Sequence, residues 1–315
     1  MGVLYFYVGQ WYNETNRKKR STRIFMNNLS DIATVKEILT RHGFRFSKSL
    51  GQNFLINPTV CPRMAELGGA GPGVAALEVG PGIGVLTREL AARCDKVVTI
   101  ELDKRLLPVL GETLQDFSNV TVVQGDVMQL DLSSLFRREF AGHDVIVCAN
   151  LPYYITSPVI MRFLEERLPI RSLTVMVQKE AAQRLCARPG ERACGAVSAA
   201  VRYYAEPKVL FSVSRGSFMP APHVDSAVIR LDIRQPGDYE RPLSAEEEKQ
   251  LFRVVRAAFG QRRKTAVNSL SAGLSMDKTK VIKAMERAGL PPAARAEQLT
   301  LDDFEALSQA LFTEE

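Results

Sequence analysis

The chain has no apolar run long enough to span a bilayer. A spanning helix needs about 18–20 apolar residues, and the longest glycine-rich candidate, residues 68–86, is interrupted by Glu78. No membrane partner is expected. Cysteine is scarce and shows no pairing pattern. The five, Cys61, Cys94, Cys148, Cys186 and Cys194, are odd in number, contain no CxxC pair and mostly sit inside apolar runs, as small buried hydrophobes do. A reducing, cytoplasmic setting is the expectation. Histidine is scarcer still: His42, His143 and His223 lie far apart with no metal-ligand spacing, so no metal site is expected. Internal repeats and low-complexity tracts are also missing.

What is present is ordinary in bulk and informative in arrangement. The 315 residues are 46% hydrophobic and 24% charged, which excludes disordered, collagen-like and coiled-coil classes. At roughly 150 residues per domain, two domains are the starting expectation. The net charge of +6 is unevenly placed: residues 1–25 carry Arg17, Lys18, Lys19, Arg20 and Arg23 against Glu14, leaving only +2 for the remainder. The uncharged opening MGVLYFYVGQWY precedes this basic cluster, the reverse of a secretory signal. Met26 lies just ahead of SDIATVKEILTRHG, where Ser30 supplies a helix cap, positions 32, 35, 38 and 39 an apolar stripe and Gly43 a stop. Organised structure is therefore expected from about Met26, with residues 1–25 an upstream extension, either a mis-assigned start or a disordered basic arm.

From Val74 to Asp232 short apolar runs alternate with amphipathic ones: VAALEVG, KVVTIEL, VTVVQGD, DVIVCAN and SLTVMVQ, with helical patterns between them. This alternation predicts an α/β fold, a Rossmann-like and mainly parallel sheet with helices on both faces. AVSAAVRYYAEPKVLFSVS and SAVIRLDIR read as later strands that close the sheet edge as an antiparallel hairpin. Residues 234–244, polar and rich in Pro and Gly, read as a linker. Beyond it SAEEEKQLFRVVRAAFG, DKTKVIKAMERAG and LDDFEALSQALF have helical period. The expected division is an α/β domain over 26–236 and a small all-helical domain over 245–315.

Three signals stand at successive strand ends. ALEVGPGIGVLT puts Gly80, Gly82 and Gly84 between the first strand and a helix, with Glu78 two residues ahead. Glycines let a ligand approach the backbone, and the helix N-terminus adds a positive end. A dinucleotide loop would want its third glycine at the position of Val85; the spacing here is G-x-G-x-G. The second strand ends in Glu101, twenty-one residues after Gly80, where an acid hydrogen-bonds ribose hydroxyls. The third ends in Gly125-Asp126, and Asp126 can accept from an adenine amino group. Together they favour a nucleoside-containing cofactor, with a spacing that resembles class I, S-adenosylmethionine-dependent methyltransferases rather than NAD-binding proteins.

The fourth strand ends in Asn150-Leu151-Pro152-Tyr153, which resembles the (Asn/Asp/Ser)-Pro-Pro-Tyr type motif of methyltransferases that act on exocyclic amino groups of bases. The N6 lone pair of adenine is conjugated into the ring, so N6 is a poor nucleophile and needs acceptors on its hydrogens. The Asn150 side-chain oxygen and a backbone carbonyl, which the family places near Pro152, supply them. Tyr153 offers a ring for the extruded base, worth roughly 1–3 kcal/mol.

FRFSKSLGQNFL (44–55) and FMPAPHVDSAVIRL (218–231) extend the match. The first resembles the K-S-L-G-Q-N-F-L signature, and the second the F-x-P-x-P-x-V-D-S element, of ribosomal RNA adenine dimethyltransferases of the KsgA/RsmA type, and the resemblance covers essentially 26–315. It implies that Asn53 and Leu55 line the methionine side of S-adenosylmethionine, that Gly80 and Gly82 lie under the cofactor, that Glu101 takes the ribose hydroxyls, and that Asp126 takes the adenine amino group. Asn150 then bridges cofactor and target, and Tyr153 and Phe218 sandwich the flipped adenine. Tyr154 is assigned no catalytic role.

The implied reaction is dimethylation of N6 on two adjacent adenosines in the 3′-terminal hairpin of 16S ribosomal RNA, within an immature 30S particle. A monomer with a role in small-subunit biogenesis is expected. Arg253, Arg256, Arg262, Arg263 and Lys264 are the expected phosphate contacts. The competing readings are a dimethyltransferase of large-subunit RNA, of the type that confers macrolide resistance, and an RNA-binding assembly or transcription factor that does not methylate.

Overall fold

A computed structural model describes residues 4–7, 29–44, 52–239 and 241–312. In chain order the elements are β1 (Leu4–Tyr7), α1 (Ile32–Arg41), β2 (Phe54–Leu55), α2 (Val60–Gly68), β3 (Val74–Val79), α3 (Val85–Ala91), β4 (Lys96–Glu101), α4 (Leu107–Thr113), β5 (Val120–Gln124), α5 (Leu132–Glu139) and β6 (Asp144–Asn150). Then follow α6 (Thr156–Glu165), β7 (Ser172–Gln178), α7 (Lys179–Cys186), α8 (Ala196–Tyr204), β8 (Ala205–Val213), β9 (Phe218–Met219), β10 (Ser226–Ile233), α9 (Ala245–Ala258), α10 (Ala266–Leu274), α11 (Lys278–Arg287) and α12 (Leu301–Phe312).

Among the described residues eight strands form the main sheet in the order β1-β5-β4-β3-β6-β7-β10-β8, and β2 pairs with β9 in a separate two-stranded ribbon. The five central strands are parallel; β1 joins β5, and β10 joins β7, antiparallel. All six residues of β3 are buried, as a strand covered on both faces requires. The chain lays β4 and β5 to one side of β3, then crosses to β6 and β7 on the other. In an open α/β sheet that reversal leaves a crevice beyond the carboxyl ends of the strands.

The chain divides into two compact units, Met1–Ala182 with Lys208–Ile233, and Gln183–Pro207 with Arg234–Glu315. The first holds the sheet. Met64, Ala76, Leu90, Val97, Ile146, Cys148 and Met176 are among the fully buried residues of its main core. In the second unit α9 begins at Ser244, whose hydroxyl accepts from the Glu247 N–H while the Glu247 carboxylate takes the Ser244 N–H, a capping box. Asp277 caps α11.

Three expectations need correction. Residues 196–204, read as strand, are helix α8. Its N-terminus is closed by the Ser198 hydroxyl, which accepts from the Gly195 N–H and donates to the Arg184 carbonyl. Tyr203 and Tyr204, at its end, pack on Phe252 at ring distances of 5.2 and 5.6 Å and donate to Glu248. Burying two tyrosines against α9 outweighs their strand propensity. The cap of α1 is Asp31, which accepts from the Thr34 N–H at 2.8 Å, and not Ser30; an ionised acceptor also suits the positive helix end. Within the segment expected to be extension or disordered arm, Leu4–Tyr7 forms the edge strand β1. The rest of residues 1–25 lies outside the described residues.

Candidate active site

One cleft gathers the strand ends of the sheet-bearing unit. It is lined by residues 52–55, residues 78–83 with Val85 and Leu86, Glu101 and Leu102, residues 125–127, residues 150–155, and Phe218. Asn53, Leu55, Gly80, Gly82, Glu101, Asp126, Asn150, Tyr153 and Phe218 therefore share one surface, although 165 positions separate Asn53 from Phe218.

The glycine loop leaves β3 with Gly80 donating its N–H to the Ile100 carbonyl at 2.9 Å. Gly82 has φ +60, and a Cβ there would sit 3.2 Å from two ring atoms of Phe54. Gly84, at φ +89, caps α3, and its Cβ would meet Leu114 and Thr113 at 3.0–3.2 Å. These two positions combine a left-handed backbone with no room for a side chain, so glycine is required.

Glu101 ends β4 buried. Its Oε1 accepts from the Asp103 N–H at 2.7 Å, and burial pushes its carboxyl up to about 7. Asp103 is held below the ordinary carboxylate range, chiefly by Arg105, and accepts from Gln52 Nε2 at 2.9 Å. This bridge ties the 52–55 ribbon to the end of β4. Asp126 accepts from the Met128 N–H and from Gln129 Nε2. Its loop is held by Arg162 of α6, which donates to the carbonyls of Val127 and Leu130.

Glu78 is the residue that strand-end reasoning left without a role. It lines the cleft, is 1% exposed, and its Oε2 has no hydrogen-bond partner among the described residues. Burial pushes it up to about 8, partly offset by the Thr87 side chain, and the Glu101 charge adds to the shift. A buried acceptor without a donor is costly, and an ammonium-bearing ligand in the cleft would supply one. Below it Cys61, Met64 and Met176 make an apolar floor. Burial raises the Cys61 and Cys148 thiols, so neither is an activated nucleophile. The five cysteines are free thiols.

Beyond β6, Asn150 opens the 150–153 turn at the cleft. Tyr153 begins a short 3-10 turn, and its hydroxyl lies 2.7 Å from that of Ser226 on β10. The Pro152 carbonyl already accepts from the Ile155 N–H at 3.1 Å and the Thr156 hydroxyl at 3.3 Å. Phe218 faces the same cleft but is 3% exposed, held by pairing with Leu55 across the ribbon. Tyr154 lines the mouth, 56% exposed. Among the described residues no group of three or more His, Cys, Asp or Glu could hold a metal, and no helix is long and apolar enough to cross a membrane. In the helical unit Arg253, Arg256, Arg262, Arg263 and Lys264 are all exposed.

Comparison with known proteins adds the family. The profile of ribosomal RNA adenine dimethylase matches residues 43–311. The chain belongs to that family. It is 48% identical over 288 residues to ribosomal RNA small subunit methyltransferase A of Geobacillus thermodenitrificans, covering 89% of this chain and 97% of that one. The protein of the same description from Bacillus mycoides is 46% identical over 290 residues, covering 90% and 98%. Among solved structures the chain is similar to the 23S rRNA methyltransferase ErmE, with TM-score 0.63, 27% identity and coverage of 83% of this chain and 100% of that one. A dimethyladenosine transferase from Plasmodium falciparum, at 24% identity and TM-score 0.66 over 81% and 95%, shares the fold. The chain is thus an α/β methyltransferase of the Rossmann-like class, an enzyme that acts on ribosomal RNA.

The methyl donor, S-adenosylmethionine, fits the residues present. A buried carboxylate at Glu101 and a buried acid at Glu78, one oxygen of which has no hydrogen-bond donor among the described residues, match its ribose-bearing and cationic character.

Proposed function

We propose that the chain dimethylates N6 of two adjacent adenosines in the 3′-terminal hairpin of 16S ribosomal RNA, acting as a cytoplasmic monomer on an immature 30S particle during small-subunit biogenesis. The observation that carries the reading is the convergence of Asn150 and Tyr153 with Glu101, Asp126 and the glycine loop in one cleft.

In this reading Asn53, Leu55, Gly80 and Gly82 cradle the cofactor, Glu101 accepts from its ribose hydroxyls and Asp126 from its adenine amino group. When bound, S-adenosylmethionine supplies an electrophilic methyl on a sulfonium. The Asn150 side-chain oxygen and a backbone carbonyl hold the hydrogens of the target N6. With Pro152 already accepting two bonds, the Leu151 carbonyl takes that second role. Both acceptors bias the nitrogen toward a tetrahedral donor, so positioning and electrostatics drive the transfer without a strong base. Tyr153 and Phe218 flank the flipped base. The sheet-bearing unit is the catalytic domain and the helical unit, in which residues 183–207 join 234–315, is the RNA-binding one, where Arg253, Arg256, Arg262, Arg263 and Lys264 meet phosphates; of residues 1–25, the part outside β1 is an extension.

The test is incubation of the protein with labelled S-adenosylmethionine and unmethylated 30S or 50S particles, followed by nucleoside mass spectrometry. N6,N6-dimethyladenosine in small-subunit RNA alone is expected. Product in large-subunit RNA alone would move the chain to the resistance type, and cofactor binding without product on either would favour a non-catalytic factor. Asn150→Ala is expected to abolish transfer while cofactor binding largely survives.

A further inference from the structure

The aromatic slot of the proposed site has a support that the chemistry above does not use. Tyr153 sits on a one-turn 3-10 segment between β6 and α6, and a phenol there can rotate about two side-chain bonds. Its hydroxyl, however, is 2.7 Å from the hydroxyl of Ser226. Ser226 is fully buried at the first position of β10, in register with Gln178 at the end of β7. The bond therefore pins the far edge of the Tyr153 ring to a buried, strand-paired position of the sheet. The neighbouring residue acts on the other wall: the Asp225 carboxylate accepts from the Arg215 N–H at 3.0 Å, and its carbonyl from the Lys179 N–H at 3.0 Å. Arg215 opens the turn that delivers Phe218. Two consecutive residues at the start of β10 thus fasten both aromatic walls to one strand end.

We propose that Ser226 is a positioning residue, acting through Tyr153 to fix the orientation of the base in the slot, with Asp225 doing the same for the segment that bears Phe218. This rests on the reading of Tyr153 and Phe218 as the walls of the base site. Fixed walls matter most for the second methylation, when N6 already carries one methyl and the base must return with its remaining hydrogen on an acceptor. A ring free to turn holds the base less firmly, which costs more for the monomethylated base, with one N6 hydrogen left to place on an acceptor, than for the unmodified base with two.

The experiment is a double-mutant cycle with Ser226→Ala and Tyr153→Phe, assayed on unmethylated 30S particles by nucleoside mass spectrometry. Each single variant is expected to lower kcat/KM by about 3- to 10-fold, the worth of one neutral hydrogen bond, and to raise the share of N6-monomethyladenosine, with cofactor affinity unchanged. The double variant is expected to be no worse than either single, because both remove the same bond, and Ser226→Thr, which keeps the hydroxyl, to restore the product ratio. Additive losses, or wild-type product ratios in Ser226→Ala and Tyr153→Phe, would overturn the proposal. If Ser226→Ala does not fold, Tyr153→Phe tests the same bond from the other end. Tyr153→Ala separates the two levels. If Tyr153→Ala is inactive while Ser226→Ala and Tyr153→Phe behave as wild type, the positioning role alone fails; full activity in Tyr153→Ala removes the base-wall reading itself.

Discussion

Replacing Glu78 by glutamine should stabilise the ligand-free protein, increasingly so as pH rises. Glu78 is buried, its Oε2 lacks a donor, and its carboxyl is raised from 4.5 to about 8. In the unfolded chain the same group ionises near its ordinary value. Below about pH 4.5 it is neutral in both states and its contribution to stability is fully present. As pH rises the unfolded state sheds a proton that the fold retains, and stability falls until the folded group also ionises near pH 8. Glutamine keeps the shape and does not titrate. Within that window each pH unit costs the wild type about 1.36 kcal/mol relative to the variant, so from about pH 5.5 to about pH 7.5 the difference should grow by about 2.7 kcal/mol. Urea denaturation of ligand-free protein at the two pH values, followed by circular dichroism, reads this as a widening gap between midpoints. Constant offsets from the amide cancel between the two conditions. A gap that is the same at both pH values would show that Glu78 is ionised in the fold, and would refute the reasoning.

Gly82→Ala places a Cβ 3.2 Å from the Phe54 ring at φ +60; the backbone cost alone is about 1–2 kcal/mol, and cofactor affinity by calorimetry should fall about tenfold or more, an unchanged affinity counting against the cradle. Glu101→Gln should weaken cofactor binding by about tenfold, the loss of a charge-assisted hydrogen bond. Because Glu101 is raised to about 7 and its ionised form is the better acceptor, wild-type affinity should rise with pH through that value, and the slope should be shallower in the variant. Arg162→Leu removes the donors to the Val127 and Leu130 carbonyls. A stability loss of about 1.5–3 kcal/mol in thermal denaturation, with weaker cofactor binding through the freed Asp126 loop, is the expected result.

How much of this was legible in the chain differs by element. The parallel strands were, because a strand buried on both faces reads as a nearly continuous apolar run, and VAALEV, broken only by Glu78, and the VIVCA of DVIVCAN are such runs. The glycine loop between β3 and α3 was, by its spacing; that Gly82 and Gly84 need glycine because of positive φ and of Phe54, Leu114 and Thr113 was not. Helix α8 was not: AVSAAVRYY is apolar enough for a strand, and what decides it is the packing of Tyr203 and Tyr204 on Phe252 and Glu248, about fifty positions away. The same applies to α8's allegiance, since residues 183–207 belong to the helical unit while β8 and β10 complete the sheet.

The site divides along the same line. Sequence by itself determined the chemistry on offer: acids and an amide at strand ends, a glycine loop, a proline-bounded aromatic turn. These are local, since the carboxyl end of a parallel strand is a place where the chain must turn and where a short polar side chain satisfies the freed backbone. Only the tertiary structure decided what is buried and what is held. The burial of Glu78, the Gln52–Asp103 bridge and the anchoring of Tyr153 by Ser226 all depend on contacts between segments far apart in sequence. Desolvation and hydrogen-bond partnership are properties of the surrounding space, and that space exists only once the sheet has closed over it.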